Sequence, residues 1–154
     1  MISNPLFNRV MFVVSFIGIF LAGYLWYMHA YPEDIPCGGD GGCAVVAMSK
    51  WSQFPPGIGP PVAAFGTMGY LIICGLAFYR TLNENATLDR KMLLLIVATA
   101  GLGTLFSLYL TGMEAFVIKH WCKWCLGSQG LIALLLAVSL LEWRRSPVPV
   151  QQVQ

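Results

Sequence analysis

The sequence predicts an all-α membrane protein: a four-helix transmembrane bundle with a short amphipathic helix in its first outer loop. Two observations carry this. Hydrophobic residues make up 57% of the 154 residues and charged residues only 10%, against about 45–50% and about 25% in a soluble domain. So little charge cannot solvate a globular surface, and the mean hydropathy of +0.68 says the same. An ordinary soluble enzyme, a disordered chain and a nucleic-acid binder with a basic face are excluded. The apolar residues also gather in four stretches, about 10–29, 61–79, 92–111 and 125–141, each near the ~20 residues that cross ~30 Å of hydrocarbon. Lone helices satisfy their own backbone in lipid, and these runs do not resemble the ~10-residue alternation of a β-barrel. Residues 1–146 read as one domain, and 147–154 as a flexible tail.

The first stretch follows Arg9 and exceeds the ~7–15-residue apolar core of a signal peptide. Met28, His29 and Ala30 make no small-x-small cleavage site, so it reads as a retained helix. Four spans put both termini on one side. Arg9, Arg80, Arg90, Lys91, Arg144 and Arg145 fall on that side, and Lys50, Lys119 and Lys123 on the other. The excess of cations marks the first side as cytoplasmic. The connection between the second and third spans is short, with a turn at Asn83-Glu84-Asn85. The first outer loop is long, and its stretch 44–54 carries Val45, Met48, Trp51 and Phe54 at a spacing of three. That spacing fits an amphipathic helix lying on the membrane or capping the bundle. Pro55-Pro56 ends it, and Pro60-Pro61 opens the second span. Glu114 closes the third span on the outer side, where it either reaches water or carries protons, since carboxylates at membrane depth tend to be functional.

Of the five cysteines, Cys74 sits inside the second span and reads as a small apolar packing residue. The other four form two close pairs, Cys37-Gly-Gly-Asp-Gly-Gly-Cys43 in the first outer loop and Cys122-Lys-Trp-Cys125 at the mouth of the fourth span. Both pairs fall on the outer side, where disulfides persist. Two structural disulfides are one reading, although a Cys-x-x-Cys bridge closes a tiny loop and constrains little. A four-cysteine zinc site is another. A redox relay is the third. Cys-x-x-Cys at a helix start is the usual redox dithiol, its thiolate favoured by the helix N-terminus and by Lys119, His120 and Lys123 nearby. The glycines between Cys37 and Cys43 suit a shuttling pair. The residues favour the relay and leave the other two open. With no haem or flavin motif, and with Trp121 and Trp124 beside the second pair, a membrane-dissolved quinone fits best as acceptor.

Taken together in order and spacing, these features identify a resemblance. The Cys37…Cys43 loop pair, Ser49-Lys50-Trp51, Pro61-Val62-Ala63-Ala64-Phe65-Gly66 and Trp121-Cys122-Lys-Trp-Cys125 resemble the vitamin K epoxide reductase family in its bacterial and archaeal branch. The other quinone-linked thiol oxidases, the disulfide-bond-forming B proteins, carry their Cys-x-x-Cys in the first outer loop, the reverse of the order here. The resemblance implies a membrane thiol:quinone oxidoreductase of the inner membrane serving disulfide bond formation. In it Cys37 meets a reduced thioredoxin-like (DsbA-like) partner outside the cytoplasm, Cys43 passes electrons through a transient disulfide with Cys122, and Cys125 reduces the quinone (ubiquinone, menaquinone or similar). It places Ser49, Phe65, Trp121, Trp124 and Gln129 around the quinone and implies no resident metal. Many prokaryotic members carry a fused thioredoxin-like domain that is not seen here, so the partner is expected to be a separate protein. Vertebrate members have an asparagine where Val62 stands and a tyrosine where Gln129 stands. Both departures favour plain quinone reduction over epoxide reduction.

Overall fold

The computed structural model describes residues 5–31, 34, 36–37, 41–82 and 85–146 of the protein. Asn83 and Glu84 of the expected turn, Gly38 and Gly39 of the loop and the tail 147–154 lie outside the described residues. The chain forms α1 (Pro5–Met28), α2 (Gly42–Met48), α3 (Val62–Leu82), α4 (Ala86–Met113) and α5 (Lys123–Arg145). No strand occurs among the described residues beyond an isolated bridge between Gln53 and Pro61. The long helices α1, α3, α4 and α5 have mean hydropathies of 1.8 to 2.1 and are long enough to cross a membrane. They run antiparallel in sequence order. Helix α1 lies against α3 and α5, and α4 against α3 and α5, so the four close a bundle.

The bundle interior holds Met11, Ile73, Leu93, Ile96 and Leu135, all with no accessible surface. Its outside is just as apolar: Phe20 is 66% exposed and Leu102 70%. In water such a surface is a liability; against lipid tails it is the expected one. Lipid also removes the hydrophobic drive between helices, so close packing has to hold them. Helix α1 supplies this with Gly18, over which the Tyr70 ring of α3 lies so closely that any β-carbon there would collide with it.

Each long helix differs in length from the apolar run that marked it, and the reason is electrostatic. At the end of the bundle away from the cysteines, one polar side chain from each of the other three long helices converges on Arg80 of α3. Its Nε and Nη2 donate to Asp89 at 2.8 and 3.0 Å, and its Nη2 and Nη1 to Glu142 at 2.8 and 3.2 Å. Nη1 also reaches Asn8 Oδ1 at 3.4 Å, and Asn8 Nδ2 donates to the Ala77 carbonyl. Asn8, Arg80 and Glu142 are at most 2% exposed. These polar residues continue the helices beyond the hydropathic runs because they are satisfied by one another. Nearby, Arg145 lies over the Phe7 ring and Arg90 over the Trp143 ring.

At the cysteine end the continuous helix expected over 44–54 is broken. Helix α2 stops at Met48, Ser49 takes extended backbone, and Lys50–Ser52 forms a separate 3₁₀ turn. Two serines cause the break. Ser49 Oγ donates to the Val46 carbonyl at 2.7 Å, and Ser52 Oγ to the carbonyls of Ala47 and Ser49. Side chains that bond the local backbone in this way compete with helix propagation. Helix α2 buries Cys43 and Val46 against the bundle and turns Val45 and Met48 outward.

Removing one member of a buried ion cluster leaves the others uncompensated, at a cost of about 3–5 kcal/mol. Arg80→Ala is therefore expected to lower the thermal unfolding midpoint in detergent sharply. The conservative Arg80→Lys should recover only part, because a lysine cannot serve two carboxylates with paired bonds. An unchanged midpoint in Arg80→Ala would show that the helices are held by packing alone.

Candidate active site

Two segments far apart in sequence build the site. The first runs from Pro36 through α2, the second from the end of α4 into α5. Cys37 and Cys43 are joined as a disulfide with their α-carbons 5.7 Å apart, and the Cys43 N–H also donates to the Cys37 sulfur at 3.2 Å. Cys74, Cys122 and Cys125 are free thiols, Cys74 half-buried in α3 and apart from the pairs. Since Cys37 and Cys43 are bonded to each other, the four thiolates of a tetrahedral zinc site are not assembled in this arrangement.

Cys122 caps α5. Its backbone is extended, and its sulfur accepts the N–H of Cys125 at 3.3 Å, which places Cys125 in the first turn. The Cys122 thiol lies below its ordinary range. The first cause is the hydrogen bond from the Cys125 thiol; the N–H groups of Cys125 and Trp124 add to it, while burial and the Glu114 charge oppose it. A helix N-terminus favours a thiolate in the same direction.

The two pairs meet in one buried cluster of Cys37, Cys43, Val46 and Cys122, with Met28, Ile118, Trp124 and Cys125 packed on it. Two contacts make the meeting possible. A β-carbon on Gly42 would stand 2.7 Å from the Trp121 carbonyl oxygen, so only glycine lets α2 come this close to the start of α5. The Trp124 indole N–H donates to the Pro36 carbonyl at 2.9 Å, tying the residue before Cys37 to α5.

Beneath this cluster lies a cavity of about 380 Å³ among the four long helices. Cys43, Cys122 and Cys125 are in its wall, with Ser49 and Trp51 from the loop. Phe65 and Tyr70 come from α3, and Leu102, Phe106 and Thr111 from α4. Such a mostly apolar space with a few convergent polar groups is the form that small-molecule sites take. Of the residues expected around a quinone, Ser49 and Phe65 are in the wall. Trp121, 53% exposed, and Trp124 are outside it, and Trp124 packs on Tyr24 at 5.8 Å between ring centres. Gln129 stands one layer back, its Oε1 accepting the hydroxyl of Thr111.

Sequence reasoning passed over Tyr70, whose hydroxyl donates to the Ser128 carbonyl at 2.7 Å beside the cavity. It also left Glu114 between two roles, and the structure removes one of them. Glu114 does not reach water; it is 4% exposed. At Glu114 the α-helical bonding of α4 gives way to a single π turn, Glu114–Ile118, closed by Lys119 at φ 58°. Such π turns recur at functional positions. Glu114 Oε2 accepts the Cys122 N–H at 3.0 Å. One carboxylate oxygen and the two sulfurs lie within 4.8 Å of one another. A signal for this was present: Ser107, Thr111 and Glu114 recur at spacings of four and three, one polar face of an apolar helix.

Membrane-length helices that carry a disulfide and a free dithiol together, above an apolar cavity, define a membrane thiol oxidoreductase. Residues 9–140 match the model of the Vitamin K epoxide reductase family. The chain belongs to that family.

Two outcomes check this geometry. Gly42→Ala is expected to push α2 away from α5, with overpacking of about 1–3 kcal/mol, and to slow thiol exchange between the two pairs while the Cys37–Cys43 bond still forms. Stopped-flow reduction followed by alkylation and mass spectrometry reads this; exchange at the native rate would mean that the approach at Gly42 is not limiting. In the reduced protein, thiolate absorbance should show Cys122 titrating below the usual ~8.5 of a free cysteine. In Cys125→Ala its midpoint should move up, because the largest stabilising contact is gone. An unmoved midpoint would leave the helix amides as the whole cause.

Proposed function

We propose that the protein is a thiol:quinone oxidoreductase that re-oxidises a thioredoxin-like protein and passes the electrons through its two cysteine pairs to a membrane quinone. The observation that carries this reading is the single buried cluster in which Cys37, Cys43 and Cys122 meet above the cavity. A pair of structural staples would have no reason to share such a cluster, nor to stand one bonded and one free.

The reduced partner attacks Cys37, and Cys43 is released to attack Cys122 once that sulfur is bonded to Cys125. Exchange of this kind runs through a thiolate and a mixed disulfide. The partner's second thiol displaces Cys37 and leaves the partner as a disulfide. Cys37 then attacks Cys43 and releases Cys122, so that Cys37 and Cys43 end as a disulfide and Cys122 and Cys125 as a dithiol. Cys125, inside the first turn of α5 and in the cavity wall, is the sulfur that faces the acceptor. Ser49 and Phe65 bound the acceptor's head group directly, Gln129 acts through Thr111, and Trp121 and Trp124 hold the outer rim. With Val62 in the cavity wall, plain quinone reduction is the better reading. We place the cysteine end on the outer side of the bacterial or archaeal cell membrane. The opposite end carries Arg9, Arg90, Lys91, Arg144 and Arg145, and the positive-inside rule makes that end cytoplasmic.

The test uses purified protein, a soluble quinone and two donors: a reduced thioredoxin-like protein and dithiothreitol. Cys125→Ala should abolish quinone reduction with both. Cys37→Ala and Cys43→Ala should abolish it with the protein donor and leave most of it with dithiothreitol, which reaches the inner pair directly. Equal loss with both donors in the loop variants would reject the two-stage relay.

A further inference from the structure

We propose that Glu114 is the proton carrier of the Cys122–Cys125 pair, giving up one of the two protons that accompany two electrons to the acceptor and regaining it when the pair is reduced again. This rests on the thiol:quinone reading above.

The position of Glu114 is the argument. Its carboxylate is almost wholly buried, lies in the wall of the cavity, accepts the backbone N–H of Cys122, and has an oxygen within 4.8 Å of both sulfurs of the pair. The α-helical bonding of α4 ends at Glu114, where the π turn begins. A carboxylate beside an apolar cavity in a membrane is expensive and needs a purpose. A structural cap on the Cys122 N–H would be served as well by a neutral amide.

The chemistry supplies the purpose. With Cys122 as the thiolate, the reduced pair holds one proton, on Cys125, while a quinone needs two. Glu114 as the neutral acid holds the second. As the Cys122–Cys125 bond forms, two electrons leave the sulfurs. The quinone takes these electrons with the protons of Cys125 and Glu114 and becomes the quinol, and Glu114 is left as the carboxylate. When the loop dithiol reduces the Cys122–Cys125 disulfide, its two protons pass to Cys125 and Glu114, Cys122 returns as the thiolate, and Cys37–Cys43 is bonded again. Charge and protons balance in both halves.

The other titratable groups around the same space are Cys43 from α2, Tyr70 from α3 and His29 beyond α1. Tyr70 has its hydroxyl proton committed to Ser128. Cys43 is bonded to Cys37. Glu114, by contrast, has a carboxylate oxygen within 4.8 Å of both sulfurs of the free pair. Lys119 and His120 follow the π turn, on the exposed connection into α5.

The experiment compares the full-length protein with Glu114→Gln and Glu114→Asp, with dithiothreitol as donor and a soluble quinone as acceptor, across pH. Glutamine keeps an acceptor for the Cys122 N–H and cannot carry the proton. General acid–base catalysis is worth about 10²–10⁴-fold, so Glu114→Gln should lose about a hundredfold or more in kcat with KM little changed. It should also lose one limb of the wild-type pH profile, while Glu114→Asp recovers most of the rate and that limb. Alkylation mapping of Cys37–Cys43 in each variant checks folding. A Glu114→Gln rate within twofold of wild type overturns the proposal. So does a lower rate with a pH profile of unchanged shape, because that is the mark of a purely structural carboxylate. Failure of the wild-type protein to reduce quinone at all would instead reject the function on which the proposal rests.

Discussion

All four long helices meet at the Arg80 guanidinium, α1 through Asn8, α3 through Arg80 itself, α4 through Asp89 and α5 through Glu142. In lipid the helices gain little by hiding apolar surface from one another. A buried cation that needs Asp89, Glu142 and Asn8 at once therefore sets how α1, α3, α4 and α5 are rotated and at what height they stop. It also resolves a conflict within each helix. Asp89 and Glu142 would be costly singly at the end of a span, and each becomes acceptable only because α3 delivers Arg80 to the same point. The cluster is thus a register device, a use to which buried polar groups are well suited.

The far end has the opposite character. There the parts touch through small, specific contacts: Gly42 under the Trp121 carbonyl, Trp124 on the Pro36 carbonyl, Glu114 on the Cys122 N–H. Each contact lands within two residues of Cys122 or on it. The fixed end sets the axes of the helices, and these contacts bring a loop pair and a helix pair of cysteines into one cluster. A rigid base beneath a more lightly held working face is the arrangement expected where segments must move past one another during exchange.

The spans were legible because the membrane imposes one rule, about twenty apolar residues in a row, that any window of sequence can test. Their ends were not. Arg80 and Glu142 are 62 residues apart, and no local window shows that each neutralises the other. The cysteine pairs were legible from spacing, and the family resemblance read from the motifs around them is met by the family match over residues 9–140. The helix over 44–54 forms only as far as Met48, because Ser49 and Ser52 turn their hydroxyls onto carbonyls that its continuation needs, an outcome that apolar spacing does not register. Trp121 and Trp124 are neighbours of the dithiol in sequence, yet neither lines the cavity: Trp121 lies on the exposed connection before α5, and Trp124 turns toward Tyr24 and the Pro36 carbonyl. Tyr70, more than fifty residues away in sequence from the Ser128 it bonds, enters that wall from another helix. The burial of Glu114 depends on a π turn, for which Glu114-Ala115-Phe116-Val117-Ile118 carries no distinct local sign.

The roof that α2 and the 3₁₀ turn make over the cavity has a kinetic consequence. Cys43, Ser49, Trp51 and Ser52 line the cavity from this side. Phe65 of α3 and Leu102 of α4 line the cavity and are also 48% and 70% exposed on the outer face of the bundle, so the thin side of the chamber faces the lipid between these two helices. Under the proposed function the two reactants arrive by different kinds of diffusion, the thiol donor in three dimensions from the aqueous phase and the quinone in two from within the bilayer. Their supplies are set by unlike quantities, a bulk concentration and a surface density, and diluting the membrane with inert lipid would starve one half of the cycle while leaving the other untouched.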